Sequence, residues 1–137
     1  MAASDNITWR LPRSIAIVIA WSVINASIVL NAFLNGRQIL AWFDFLFLFL
    51  ISAFAGVLLA DIKAIVLGVF ESLFLCVLIS YTFMILPVLF GNAVGFGQAN
   101  AIYWLAIFMM FQAFFPTAMM MFVVGGMLGG FLEGLLS

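Results

Sequence analysis

Four long apolar stretches dominate this sequence of 137 residues. They run over residues 14–34, 39–60, 64–89 and 101–124, with short breaks between them. A helix needs about 20 predominantly apolar residues to cross the roughly 30 Å hydrocarbon core of a bilayer, and each stretch reaches that length. We therefore predict a single membrane domain over 1–137 with an all-α fold, an integral membrane four-helix bundle. Because the loops are short, we expect neighbouring helices to lie antiparallel.

The overall composition indicates lipid rather than water as the main surrounding of this chain. Hydrophobic residues make up 69% of it and charged residues only 7%, whereas a soluble domain is about half apolar and a quarter charged. A soluble chain of this length would have too little polar surface to cover that apolar material. The net charge is −1 and the sequence has no cluster of basic residues. Nucleic acid is therefore not an expected partner.

The chain has few of the side chains that carry catalysis or hold cofactors. It contains no histidine, which removes the commonest general base and the usual ligand of haem, zinc and copper. Its single cysteine, Cys76, excludes an internal disulfide and a multi-thiolate metal site. The consecutive methionines at 119–121 point around a helix rather than at one centre, which favours packing over copper binding. We predict no enzymatic activity, no cofactor and no metal.

The positive charges predict how the chain is oriented in the membrane. Arg10, Arg13 and Lys63 fall on one side of the predicted spans, and Arg37 alone falls on the other. Lysine and arginine are enriched in cytoplasmic loops. We therefore expect both termini in the cytoplasm and the protein in the cell membrane.

The C-terminal tail over 125–137 does not fit inside the fourth span. A straight helix over 101–133 would be about 50 Å long, more than a bilayer with its headgroups. We expect the chain to turn or tilt at Pro116 or at Gly125-Gly126. The tail then forms a short interfacial helix or, alternatively, docks against a neighbour.

Two acidic residues fall within the predicted spans. Counting helical rise places Glu71 about 10 Å from the cytoplasmic face and Asp44 about 8 Å from the opposite face. The two carboxylates are then roughly 12 Å apart in depth, too far to share a proton. Asp44 follows Arg37 by seven residues and can pair with it, while Asn25 and Gln112 fall close to the midplane.

Of the two acidic residues, Glu71 is the better candidate for a functional site. A charge at the centre of a membrane helix costs about 2.5–3.5 kcal/mol on insertion scales, so we predict that Glu71 faces protein and bonds to a hydroxyl at its level. In the functional interpretation it is a protonation or cation site of a small transporter or channel. In the structural interpretation it fixes helix–helix register through a hydrogen bond.

Small residues recur at four-residue spacing along three segments. The rows are Ser52, Gly56 and Ala60 in the second helix, Gly68, Ser72, Cys76 and Ser80 in the third, and Gly126, Gly130 and Gly134 in the tail. Small residues allow close backbone approach, which drives helix packing in lipid. The first two rows predict a tight hairpin of helices two and three. The third row has no obvious partner in so small a bundle, so a second chain and internal packing are both candidates.

Two functions fit these observations. We prefer an accessory or structural subunit of a larger integral membrane complex, whose partners are the lipid bilayer and other membrane protein chains. The alternative is a small homo-oligomeric transporter or channel in which Glu71, and less surely Asp44, titrates along a polar track through Asn25 and Gln112. Two acids at different depths form a poor pathway in a single bundle, which favours the subunit.

Overall fold

The computed structural model describes residues 5–37, 40–91 and 96–136, and the side chains among them except those of residues 5–11 and 96. All the regular structure in these ranges is helical. Three parts of the predictions fall outside them: the start of the second span at Ile39, the side chain of Arg10 and the last residue of the tail, Ser137.

Five helices form this part of the chain. They are α1 Asp5–Leu34, α2 Trp42–Leu59, α3 Ile62–Leu89, α4 Phe96–Ala113 and α5 Met119–Leu136. Four stretches are long and apolar enough to cross a membrane, namely Pro12–Leu34, Trp42–Leu59, Ile62–Leu89 and Gly97–Leu136. The predicted all-α class and membrane four-helix bundle are confirmed, and the chain is a small integral membrane protein.

Local backbone geometry explains where the first two spans end and where the third begins. After α1 the chain turns at Gly36, whose φ of 72° is a conformation that glycine adopts without steric cost. After α2, Ala60 takes the left-handed conformation with φ of 58°. The Asp61 carboxylate then caps α3 by accepting from the Lys63 N–H at 3.1 Å. The break predicted at Asp61–Lys63 is therefore a left-handed turn followed by a helix cap.

The fourth apolar stretch is interrupted at Phe114–Ala118. Phe115 leaves the helical conformation, with φ −110° and ψ 132°, and its peptide bond to Pro116 is cis. Proline lacks an N–H and its ring clashes with the preceding turn of a helix, so a break at this residue is expected. Of the two predicted positions, the chain bends at Pro116 and stays helical through Gly125-Gly126.

The helix after this break differs from the predicted fourth span. The boundary between the span over 101–124 and the tail over 125–137 falls inside α5, so the tail belongs to the bundle rather than to a separate interfacial helix. The 18 residues of α5 measure about 27 Å, close to the thickness of a bilayer core. Hydropathy is high throughout Gly97–Leu136, so it could not locate the span within this stretch.

The four spanning helices pack in the order α1, α2, α5, α3 around the bundle. The most extensive contact joins α2 and α5, and the next joins α1 and α3. Gly125 packs against Phe49 and Ser52, and Gly129 one turn later packs against Ala53, so α2 and α5 run in the same direction. Helices α2 and α3, which are consecutive in the sequence, lie diagonally and touch only sparingly.

The predicted tight hairpin of helices two and three is therefore wrong. The small residues of α2 face α5, where Gly56 meets Gly126. Gly68 of α3 meets Val18 and Trp21 of α1, and on the α2 side it meets only the Leu59 side chain at the end of that helix. Helices α1 and α3 also run in the same direction, because a short connection reverses the chain after α1 and another reverses it after α2. Four-residue spacing identifies a face suited to close approach but does not specify which helix will approach it.

Large side chains fill the centre of the bundle. Trp21 and Phe122 stack with ring centroids 5.7 Å apart and an interplanar angle of 17°, and Leu48 and Val29 are fully buried beside them in the same core. The Trp21 indole also donates to the Ser52 hydroxyl at 3.1 Å. The outer surface is lined with exposed apolar side chains, as expected for helices that face lipid.

Candidate functional site

Glu71 lies in the first half of α3, on the outer surface of the bundle. Its side chain is exposed, whereas Gly68 and Ser72, on the neighbouring stripe of the same helix, are buried. The carboxylate sits in a shallow groove between α1 and α3. The other residues that line this groove are Ile15, Val18, Ile19, Phe74 and Leu75.

The prediction that Glu71 faces protein and bonds to a hydroxyl is wrong. Among the residues that the structure describes, none forms a hydrogen bond or ion pair with this carboxylate. The outward position of Glu71 is nevertheless indicated by the sequence. The small residues Gly68 and Ser72 mark the buried stripe of α3, and Glu71 is about 100° away from Ser72 around the helix axis.

The surroundings of Glu71 make its exposure costly in a bilayer. Nine residues after the start of α3, Glu71 lies about 14 Å along the helix axis, near the level where a charge is most expensive. Lys63 is eight residues earlier, about 12 Å away along the axis, so its ammonium is not a local partner. Hydrocarbon supplies no hydrogen-bond donor, so the groove presents an unsatisfied polar group to whatever lies beside it.

Asp44, the second acidic candidate, is buried at the start of α2. Its Oδ2 atom accepts from Arg37 Nη1 and from the Ala41 N–H, both at 2.8 Å. The Arg37 guanidinium lies 4.9 Å from the centre of the Phe43 ring, a distance suited to a cation–π interaction. Arg37 reaches Asp44 from the connection before α2 rather than along a shared helix face. This ion pair fixes the start of α2 to the preceding connection, and it compensates the charge of Asp44.

The two amide side chains of the predicted polar track do not meet. Asn25 is fully buried in α1, whereas Gln112 is exposed on the outside of α4. Three packed side chains, Trp21, Leu48 and Phe122, fill the centre of the bundle, each at most 2% exposed. A polar path through Asn25 and Gln112 is therefore not formed within a single chain.

The glycines of the tail pack mostly inside the protein. Gly126 lies between α2 and α3, in contact with Gly56 and near Val69, and Gly130 lies against Ile65. Gly134, in contrast, has open space where a Cβ would be. Internal packing thus accounts for two of the three predicted residues, and only the last turn of α5 leaves its glycine uncovered.

Two further glycines of α5 that pack closely against α2 were not predicted from the sequence. Gly125 and Gly129 form a second row, offset by one residue from Gly126 and Gly130, and they press against the backbone of Phe49 and Ala53. The paired spelling "GG" at both places is the signal that marks two adjacent faces. The face with Gly125 and Gly129 packs against α2, and the face with Gly126 and Gly130 packs against α3.

Comparison with known proteins identifies no relative from which a function could be inferred. No family model matches the chain, and neither curated proteins nor solved structures give a match. Within residues 5–37, 40–91 and 96–136, no three acidic or cysteine side chains come together as a potential metal site. The structure thus describes a small integral membrane protein with the Glu71 carboxylate on the outer face of α3.

Proposed function

We propose that this protein is an accessory or structural subunit of a larger integral membrane complex. The observation that supports the proposal is the exposed carboxylate of Glu71, which has no partner among the described residues. An ionisable side chain in hydrocarbon costs about 2.5–3.5 kcal/mol at the helix centre. A neighbouring transmembrane helix that brings a hydrogen-bond donor to this level removes most of that cost.

The groove around Glu71 indicates the chemistry of such a partner. Its walls are apolar, formed by Ile15 and Ile19 of α1 and by Phe74 and Leu75 of α3. An apolar helix would pack along these walls, and one basic, amide or hydroxyl side chain at the level of Glu71 would complete the contact. An interhelical hydrogen bond in a membrane contributes about 0.6–2 kcal/mol, so one such bond gives orientation as well as affinity.

The interior of the bundle also suits a structural role. Its centre is filled by the stacked rings of Trp21 and Phe122, and the backbones of Gly56 and Gly126 are in direct contact. The loops between α1, α2 and α3 span only a few residues. These connections offer little surface for recognition, whereas the lipid-facing surface of α3 carries Glu71.

Purification from native membranes tests the proposal. We expect the tagged chain, extracted in mild detergent, to co-purify with another membrane protein in fixed stoichiometry. The variant Glu71→Gln should lose most of that partner, and Glu133→Gln, a matched acidic change in the last turns of α5, should retain it. A chain that purifies without any companion, or a companion equally retained by both variants, would contradict the proposal.

Photo-crosslinking locates the contact. A photoreactive amino acid in place of Phe74, which lines the Glu71 groove, should crosslink to protein. The same amino acid in place of Phe54 on α2, equally exposed at 66% against 69% for Phe74, should crosslink mainly to lipid. Equal protein crosslinking from both positions would remove the groove as the specific interface.

A second candidate function is a homo-oligomeric transporter or channel. The same exposed Glu71 favours it, because a carboxylate on the outer face can line a pathway between copies although it cannot line one within a copy. This candidate requires a symmetric homo-oligomer that conducts ions in liposomes, with conduction lost in Glu71→Gln. A hetero-complex without conduction supports the subunit instead.

A further inference from the structure

We propose that Asn25 of α1 and Ser72 of α3 bind water inside the bundle, as a site formed between these two helices. Both residues are 0% exposed. The Oδ1 and Nδ2 atoms of Asn25 and the Oγ atom of Ser72 form no hydrogen bond with any residue in the described part of the chain. These are three strongly polar atoms in the interior of a membrane protein.

The helix register brings the two residues to nearly the same level. Gly68 lies against Val18, and α1 and α3 run in the same direction. Ser72, one turn after Gly68, is therefore level with Ser22, and Asn25 lies about 4.5 Å further along the axis. Each belongs to the buried stripe of its helix, so both point into the interior.

The hydrogen-bonding capacity of these groups exceeds what they can give each other. An asparagine amide carries two N–H donors and an acceptor oxygen, and a serine hydroxyl carries one donor and two lone pairs. A direct bond between Asn25 and Ser72 would leave most of the amide unsatisfied, and a buried polar group without a hydrogen-bond partner destabilises the fold. Buried water in proteins typically makes about three hydrogen bonds to such groups.

Ser22 adds a further acceptor at the same level. Its hydroxyl donates to the Val18 carbonyl at 2.6 Å, which fixes the proton and leaves the oxygen lone pairs free to accept from water. The site thus offers donors from Asn25 and acceptors from Ser22, Ser72 and Asn25.

The charges nearby favour a neutral occupant over an ion. Glu71 is adjacent to Ser72 in the sequence but lies on the outer face of α3. Asp44 forms an ion pair with Arg37 at the start of α2. Among the side chains that the structure describes, no charged group therefore compensates an ion at Asn25, and a neutral molecule that both donates and accepts fits the groups present.

Solid-state NMR of the full chain in bilayers tests the site. In water-edited spectra, magnetisation passes from water protons to nitrogen atoms close to water. We expect the Asn25 side-chain nitrogen, assigned through its own Cα and Cβ, to gain signal several-fold faster than the buried backbone amide of Leu48. Its rate should approach that of the exposed Asn35 side chain. An Asn25 nitrogen as slow as the Leu48 amide would overturn the proposal.

Two serine variants test the role of Ser72. The Ser72→Ala change should slow the transfer to Asn25 several-fold, because one of the groups that hold the water is lost. The Ser27→Ala change removes an exposed hydroxyl bonded only to the Ile24 carbonyl on the same helix, and it should leave the transfer unchanged. An unchanged rate in Ser72→Ala would remove Ser72 from the site and with it the proposal that α1 and α3 share the water.

Discussion

The backbone carbonyl of Gly126 in α5 is in contact with the Cα of Gly56 in α2, with no side chain between them. One turn further along, Gly129 makes the same kind of approach to the Ala53 carbonyl. These two contacts set the spacing of the most extensively packed helix pair in the described structure. In lipid, where apolar burial gives no net force between helices, such close approach is a main source of their attraction.

Adding a methyl group at this contact should destabilise the bundle. A Cβ at Gly56 or Gly129 would overlap the facing carbonyl, and backbone cannot yield as a flexible side chain does. We expect Gly56→Ala and Gly129→Ala to lower the free energy of unfolding by about 1–3 kcal/mol or more. Unfolding by SDS in mixed micelles measures this. The control is Gly134→Ala, where the Cβ meets open space and alanine should be neutral or stabilising.

Removing the ring of Phe122 should leave a cavity at the centre of the bundle. Phe122 is fully buried and stacks on Trp21. We expect Phe122→Ala to lower the free energy of unfolding by about 3–5 kcal/mol, because the buried ring leaves a cavity that its neighbours fill only in part. The same unfolding assay checks the value. Phe108→Ala, at an exposed position on α4, should change stability much less, and equal losses in both variants would contradict the packed centre.

The ion pair at the start of α2 should show energetic coupling. Asp44 is buried while the Arg37 side chain is 30% exposed, so solvent weakens the pair and a coupling near 1 kcal/mol is expected. A double-mutant cycle of Arg37→Gln and Asp44→Asn measures it through the free energies of unfolding. Additive single effects would show that the contact contributes no coupling.

The number of crossings should be visible from cysteine labelling. We expect a cysteine at Asn35, in the turn after α1, to react with an impermeant maleimide from outside intact cells. A cysteine at Gly134, near the end of α5, should react only after permeabilisation. The native Cys76 is fully buried and should stay unlabelled in both cases. Reaction of both positions from the same side would contradict four crossings.

The sequence alone predicted the class of the fold well and its pairing poorly. Apolar length is sufficient to identify α1, α2 and α3, because each is bounded by charged or turn-forming residues such as Arg37 and Asp61. It could not identify α5, because the apolar stretch continues through the break at Pro116. The partner of Gly56 could not be predicted either, since both α3 and α5 offer small residues at the same spacing.

In the candidate site, too, helix periodicity predicts some side-chain positions, whereas others depend on tertiary contacts. The outward position of Glu71 follows from the stripe of small residues on α3, so it could have been predicted from the sequence. The pairing of Asp44 with Arg37 was foreseen from their separation, but the route through the connection before α2 depends on where that helix begins. The burial of Asn25 and the exposure of Gln112 depend on helix rotation, which neither amide specifies locally.

The pairing of α2 with α5 has a consequence for the order in which the protein can assemble during synthesis. Helix α5 leaves the ribosome after α3 and α4 but is the main partner of α2, so α2 must wait in the membrane while those two helices are made. Its glycine face is open to lipid, or to a chaperone, for that interval. A nascent chain arrested before Met119 should therefore be recognised as unfinished by membrane quality control, although three of its four crossings are already in place.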